Sequence, residues 1–376
     1  MTMTRIDDGK ARYVMIGGFL GAGKTTSILR FARWLTDRGL RVGLVTNDQG
    51  GGLVDTALVA AHGLPVEEIV GGCFCCRFTS LVEAAESLTR ESAPDVLIAE
   101  PVGSCTDLVA TVSLPLEQIH GDRFAVAPLS VVVDPLRAER VLGLAAARLS
   151  EHVGYIYRKQ LEEAEIVVVN KCDQVDPARR ARLREALAAV NPAAEVFEVS
   201  ARDGTGLEPW FERLLVGRSR AKAIADIDYD RYAEGEALLG WLNAEARIGA
   251  VGGADFDGNA LLGAVLGRIR AALDTAGLEI AHLKATLAVE GDPLELAVAN
   301  LVRTADEALL SRRLREPLDA GRLLVNLRAE ADPEVLERVV REVVAACAAD
   351  RPHAILHLEH FRPGRPVPTH RVAARA

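Results

Sequence analysis

The chain has 376 residues, 49% of them hydrophobic, and a formal charge of −9. At about 150 residues per domain it is long enough for two or three cores; its charge argues against non-specific nucleic-acid binding, and no apolar run of about 18 residues is present to span a membrane. The polar first ten residues lack a signal peptide's apolar core, and six cysteines, three of them at 73, 75 and 76, suit metal or redox chemistry better than a disulfide scaffold. The expected location is the cytoplasm, with no nucleic-acid or membrane partner.

The run Tyr13–Ile16 reads as a buried strand and Ile28, Leu29, Phe31, Ala32 and Leu35 as one face of a helix stopped by Gly39. Between them, Gly18 to Thr25 fits the phosphate-binding pattern G-x-x-x-x-G-K-[ST] at every position. Backbone N–H groups of such a turn converge on phosphates at a helix N-terminus. Gly21, Ala22, Gly23, Lys24, Thr25 and Thr26 are the expected contacts, with Lys24 on the β- and γ-phosphates and the Thr25 hydroxyl on Mg²⁺.

Further strand-like runs follow at Val42–Thr46, Val96–Ala99, Leu129–Val133, Ile166–Val169 and Val196–Val199. Helical segments at Ser80–Arg90, Pro135–Leu149 and Pro177–Val190 separate most of them; Ser80 and Glu83 have capping-box spacing, and Asp176-Pro177 reads as an N-cap with proline at the first helical position. Near-continuous apolar strands alternating with helices imply an α/β fold, a mostly parallel sheet covered on both faces, whose ligands sit at the strands' carboxyl ends.

At those ends lie Asn47-Asp48 and a glycine run (50–52), Glu100-Pro101-Val102-Gly103, Asn170-Lys171-Cys172-Asp173 and Ser200-Ala201. Asp48 is placed to assist Mg²⁺ or a second metal. Glu100 is where P-loop proteins put the carboxylate facing Mg²⁺ and its water. The Asn170–Asp173 run matches N-K-x-D, the guanine-reading pattern: a carboxylate accepts from N1–H and the 2-amino group together, whereas adenine presents an acceptor there. Ser200 and Ala201 match an accessory base contact.

Gly72-Cys73-Phe74-Cys75-Cys76 brings three thiols within four residues, enough for three ligands of one soft or borderline ion such as Zn²⁺ or Co²⁺. The fourth is left open among water, a carboxylate, a histidine or a thiol, with Cys105 one candidate; a redox-active or merely buried cluster is the alternative.

Together the loop at 17–26, the cysteine run, Glu100–Gly103 and Asn170–Asp173 resemble the CobW family of P-loop GTPases, over about residues 10–215. The resemblance implies a GTPase with Lys24 and Glu100 catalytic, GTP/GDP and Mg²⁺ as cofactors, and a transition metal on Cys73, Cys75 and Cys76 coupled to nucleotide state. It implies a metallochaperone or metalloenzyme activator whose partner is a client metalloprotein or cofactor-dependent enzyme; a nucleotide-dependent homodimer is compatible with it. Alternatives are a chaperone of a corrinoid-dependent enzyme and a nucleotide-sensing scaffold. The chain departs from the family pattern in the shorter carboxylate at Asp48, in Pro101-Val102, and in having no histidine-rich stretch.

The expected domains are a GTPase domain over 1–218, an α+β domain over 228–362 and a flexible tail over 363–376. In the second, strands at Leu238–Ile248, Ile280–Ala288, Leu296–Val302, Leu323–Ala329 and Ala354–Phe361, with helices from Asp257 to Ala276 and from Asp332-Pro333 to Ala349, suggest a ferredoxin-like sheet with helices on one face. Client binding is assigned to it. On the last strand His353 and His357 are expected to share a face and His360 to lie opposite.

Overall fold

The structure, a computed structural model, describes residues 9–48, 50, 54–60, 62–145, 150–220, 224–250 and 254–373. It divides into two compact units that interleave along the chain. The first takes 1–49, 64–235 and 365–376, and the second takes 50–63 and 236–364. The expected boundaries near 218 and 362 treat the domains as successive stretches; the observed units exchange 50–63 and 365–376. Gly51 and Gly52 of the glycine run, 221–223 of the expected linker, and 374–376 of the tail lie outside the described residues.

In chain order the first part comprises β1 (Ala11–Gly17), α1 (Lys24–Thr36), β2 (Val42–Asn47), α2 (Val54–Ala60), β3 (Val66–Ile69), α3 (Phe78–Ser92), β4 (Val96–Glu100), a π-helical turn (Val109–Ser113) leading into α4 (Leu114–His120), β5 (Phe124–Val126), β6 (Ser130–Val133), α5 (Pro135–Val141), α6 (Glu151–Glu163), β7 (Ile166–Val169), α7 (Pro177–Val190), β8 (Glu195–Glu198), α8 (Leu207–Val216) and α9 (Tyr229–Ala237). The strands of the first unit form one sheet in the order β3-β2-β4-β1-β6-β7-β8, with β5 also on β1, and its pairs are parallel. β4, β6 and β7 are buried throughout, as strands covered on both faces must be. Their carboxyl ends lie on one edge, which gathers the motifs.

Local chemistry sets the helix ends. Asp176 caps α7 as expected, accepting from the Arg179 N–H at 2.9 Å, with Pro177 at the first position. Ser80 is not a cap: α3 begins at Phe78, whose aromatic ring is buried, so Ser80 and Glu83 both fall inside the helix. The helix expected over Pro135–Leu149 stops at Val141, and Gly143 follows at φ +75°; 146–149 lie outside the described residues. α6 was not foreseen.

The second unit continues with β9 (Gly240–Gly249), α10 (Gly258–Thr275), β10 (Ile280–Val289), β11 (Asp292–Leu301), β12 (Leu309–Arg312), β13 (Ala320–Ala329), α11 (Pro333–Cys347) and β14 (His353–Phe361). The sheet order β12-β11-β10-β13-β9-β14 is antiparallel throughout. β14-β9-β13-β10 reproduces the ferredoxin-like order, and the β11–β12 hairpin extends one edge. Leu262, Leu266 and Ile269 of α10 and Leu336, Val340 and Val344 of α11 close the core against Leu283, Leu287, Val325 and Leu327. α2 is seated elsewhere in this unit: the Val54 N–H donates to Asn326 Oδ1 at 2.8 Å, and Asp55 pairs with Lys284. In β14 a bulge between Ile355 and His357 shifts the register, so His353 and His360 share a parity and His357 does not, the reverse of the expectation. His360 pairs with Glu337 at 2.9 Å.

Candidate nucleotide and metal site

The Gly18–Thr25 loop leaves β1 and enters α1 through Gly23, whose φ is +95°. Gly18 and Gly23 are required here. A Cβ on Gly18 would lie 2.1 Å from the Val132 carbonyl oxygen, and one on Gly23 would lie 2.3 Å from Asn170 Nδ2. The close approach lets the buried Asn170 amide join two loops: Nδ2 donates to the Ala22 carbonyl at 2.9 Å, and Oδ1 accepts from the Ala201 N–H at 2.9 Å. Lys171, at φ +53°, sends Nζ to the Gly21 carbonyl at 2.8 Å and to Asp134 Oδ2 at 2.9 Å. Burial alone would raise the Asp134 carboxyl; the Lys171 ammonium and the Arg137 N–H outweigh it and hold Asp134 below the usual carboxylate range. Arg137, buried beside Phe19, also donates to the Leu20 carbonyl.

Lys24, Thr25 and Glu100 are buried together. Thr25 Oγ1 donates to Glu100 Oε1 at 3.0 Å, and Lys24 Nζ lies 4.0 Å from the same oxygen. A hydroxyl and a carboxylate side by side are hard oxygen donors of the kind Mg²⁺ takes. Thr26 is exposed one position further on, and Asp48 is half-buried at the end of β2. Asp173 is paired with Arg202 at 2.6 Å, and Ser200 is fully buried. So the predicted phosphate and base residues share the carboxyl edge of one sheet.

The cysteine run forms a turn before α3, in which the Cys76 and Arg77 N–H groups both donate to the Cys73 carbonyl at 3.0 Å. Asn47 holds the approach to it, donating from Nδ2 to Ile69 and Gly72 carbonyls at 3.0 and 2.7 Å. The sulfurs of Cys73, Cys75 and Cys76 are 2.7, 3.3 and 3.7 Å apart. Two thiolates on a tetrahedral ion with 2.3 Å bonds sit about 3.8 Å apart, so one ion reaches all three with a small opening of the turn. All three are free thiols. Hydrogen bonds from Cys105, Cys75 and Cys76 pull the Cys73 thiol well below its usual range, while the bond to Cys73 pushes Cys76 up to about 11 and Cys75 higher still.

The chain beyond Gly364 also lies here. The Val367 N–H donates to Cys76 Sγ at 3.2 Å, Thr369 donates from its N–H to the Cys75 carbonyl at 2.8 Å and from Oγ1 to the Cys76 carbonyl at 3.0 Å, and His370 meets Phe78 edge-on at 5.0 Å. Arg371 pairs with Asp107 at 2.7 Å. The segment expected as a flexible tail is held by these bonds. Its proline- and arginine-rich composition carries no hydrophobic periodicity from which the contact could be read. Asp134 and Arg137 were likewise missed, although Asp134 follows a strand-like run just as Glu100 does.

The family description CobW/HypB/UreG, nucleotide-binding domain, matches residues 12–198. These residues form a CobW-type nucleotide-binding domain. Similar curated proteins are the zinc chaperone YeiR of Escherichia coli K12, 32% identical over 43% of this chain and 47% of its own length, and the zinc chaperone CobW of a Sinorhizobium species, 28% identical over 49% and 57%. The chain therefore spans about half the length of the curated relatives it matches. Among solved structures, HypB from Helicobacter pylori in complex with nickel is 20% identical over 55% of this chain and 86% of its own, with a TM-score of 0.41. The CobW-type domain carries its cysteine turn between β3 and α3, and Glu100 ends the next strand.

Proposed function

We propose that the protein is a GTP-hydrolysing metallochaperone that carries a transition metal, zinc before others, to a client protein. The convergence of Cys73, Cys75 and Cys76 in one turn, on a CobW-type domain, carries this reading. In it the Gly18–Thr25 N–H groups and the α1 dipole hold the phosphates, and Lys24 neutralises the β- and γ-oxygens. Thr25 and Glu100 would hold Mg²⁺, which would supply charge stabilisation at the phosphate oxygens. Asn170 keeps the phosphate and base loops in register, Lys171 lies along the base, Asp173 accepts from guanine, and Ser200-Ala201 support it. Asn47 links the edge facing the γ-phosphate to the cysteine turn, so nucleotide state and metal affinity share one segment. The ferredoxin-like unit receives the client. The thiols require a reducing compartment, hence the cytoplasm.

The test is a zinc competition titration with GDP and with a non-hydrolysable GTP analogue, on the wild type and Cys75→Ser. Coupling of this kind typically changes affinity by roughly five- to a hundredfold. Equal zinc affinity in both nucleotide states would end the coupling, and full affinity in Cys75→Ser would end the cysteine assignment.

A further inference from the structure

The segment from Arg365 to Val372 crosses the cysteine turn and continues past it. On the turn it is held by the bonds of Val367 and Thr369 to Cys75 and Cys76. Beyond the turn, Arg371 donates from Nε to Asp107 Oδ2 at 2.7 Å and from Nη2 to the Ala225 carbonyl at 3.1 Å, and the Val372 N–H donates to the Ala110 carbonyl at 2.9 Å. Arg365 pairs with Asp230 at 2.8 Å. Asp107 is 1% exposed and sits at φ +64°. Its Oδ2 also accepts from the Tyr229 hydroxyl at 2.6 Å, while Oδ1 has no hydrogen-bond partner among the described residues. A buried carboxylate paired with a cation is costly to uncouple, so Arg371 is the firmest point of the segment.

Of these bonds, the Val367 N–H on Cys76 Sγ is the one that ends on a sulfur. The others end on carbonyl and carboxylate oxygens, which an ion on the sulfurs leaves as they are. A contact equally strong with and without a ligand does not shift the binding equilibrium; it stands in the way of arrival and departure alike. Cys73 and Cys75 are buried, and Cys76, the half-buried member, is the one that Val367 covers. We propose that residues 365–372 form a gate over the cysteine turn, latched by Arg371 on Asp107, which sets how fast an ion enters and leaves without setting how tightly it is held. This rests on reading the turn as a metal site. Such a gate suits a carrier: the ion is kept from competing ligands in transit by a barrier rather than by an affinity that no client could match.

The experiment uses the full chain and zinc alone, in the wild type, Arg371→Ala and Asp107→Asn. Asparagine tolerates the left-handed backbone at 107, so the second variant removes the charge and keeps the conformation. Release into excess chelator and uptake of free Zn²⁺ against a zinc-sensitive dye are timed by stopped flow, and affinity is taken from a competition titration. Loss of a charge-assisted bond, roughly ten- to a hundredfold, should raise both rates at least about tenfold and leave the affinity within about threefold. Thr369→Val, which removes the neutral hydroxyl bond to the Cys76 carbonyl, should raise both several-fold. Faster uptake with tighter binding would overturn the proposal by making the segment a competitor of the ion. Faster release with weaker binding would overturn it by making the segment part of the site, and unchanged rates would mean that it bars nothing. Each of these leaves the metal reading standing, whereas a wild type that retains no zinc would end both. Should either charge variant not fold, Thr369→Val, at an exposed position, still decides among the same outcomes.

Discussion

Replacing Asp173 by asparagine isolates base recognition from everything else the site does. Under the guanine assignment the carboxylate accepts from N1–H and the 2-amino group, and asparagine turns one acceptor into a donor facing a donor. Loss of a charged hydrogen bond costs about 1.5–3 kcal/mol, or roughly ten- to a hundredfold in affinity. One correction comes from the structure: Asp173 is held by Arg202, whose side chain is 67% exposed. So exposed a pair contributes about 0–1 kcal/mol, at most about fivefold, and the loss of GDP binding survives it. The variant should also gain a partner. Xanthine carries a carbonyl where guanine has its amino group, so the new amide donates to that carbonyl while its oxygen accepts from N1–H. Titration of wild type and Asp173→Asn with GDP, ADP and xanthosine diphosphate should show weakened GDP binding and improved xanthosine diphosphate binding. Unchanged GDP affinity, or loss of both ligands together, would refute the assignment.

Burial raises Glu163 to about 8 against an ordinary 4.5, with Thr106 Oγ1 and the Val109 N–H bonded to its oxygens. The folded state then keeps a proton that the unfolded chain loses, so stability from this residue is full below about 4.5 and declines as pH rises through about 8. Denaturant unfolding across that window should show the decline, and Glu163→Gln should flatten it while costing about 1 kcal/mol at acid pH for the bond its amide cannot accept; an unchanged slope would refute the cause. Removal of residues 365–376 uncovers Cys75 and Cys76, so their reaction with a disulfide reagent should quicken several-fold. Identical rates would mean that the segment does not shield the sulfurs in solution.

What could be read from the chain was whatever is local. The phosphate loop, Glu100 and Asn170–Asp173 each sit at the end of an apolar strand, and the parallel order brings those ends together by topology alone. The ferredoxin-like order was legible because β9, α10, β10, β13, α11 and β14 have clean periodicities and Asp–helix caps. What failed was distant or short. α2 takes its partner from Asn326, 272 residues away, and β3, β5 and β12 are three or four residues long. The bulge that inverts the β14 histidines has no signature in composition. Cys105 was visible only as one candidate, and nothing in its neighbours reveals that the Gln160 amide holds its carbonyl, at 2.8 Å.

The contact between Val367 and Cys76 spans 291 residues. A chain made at roughly 5–20 residues per second presents the cysteine turn for about 15–60 s before the segment that covers it has been synthesised. Throughout synthesis of the second unit the thiols stand open on the nascent chain, exposed to whatever ions and oxidants the ribosome's surroundings hold. The cover arrives with residues 367–369. On the metal-site reading a newborn chain can therefore take up an ion before it can guard it, and a folded one must unseat residues 367–369 to do so again.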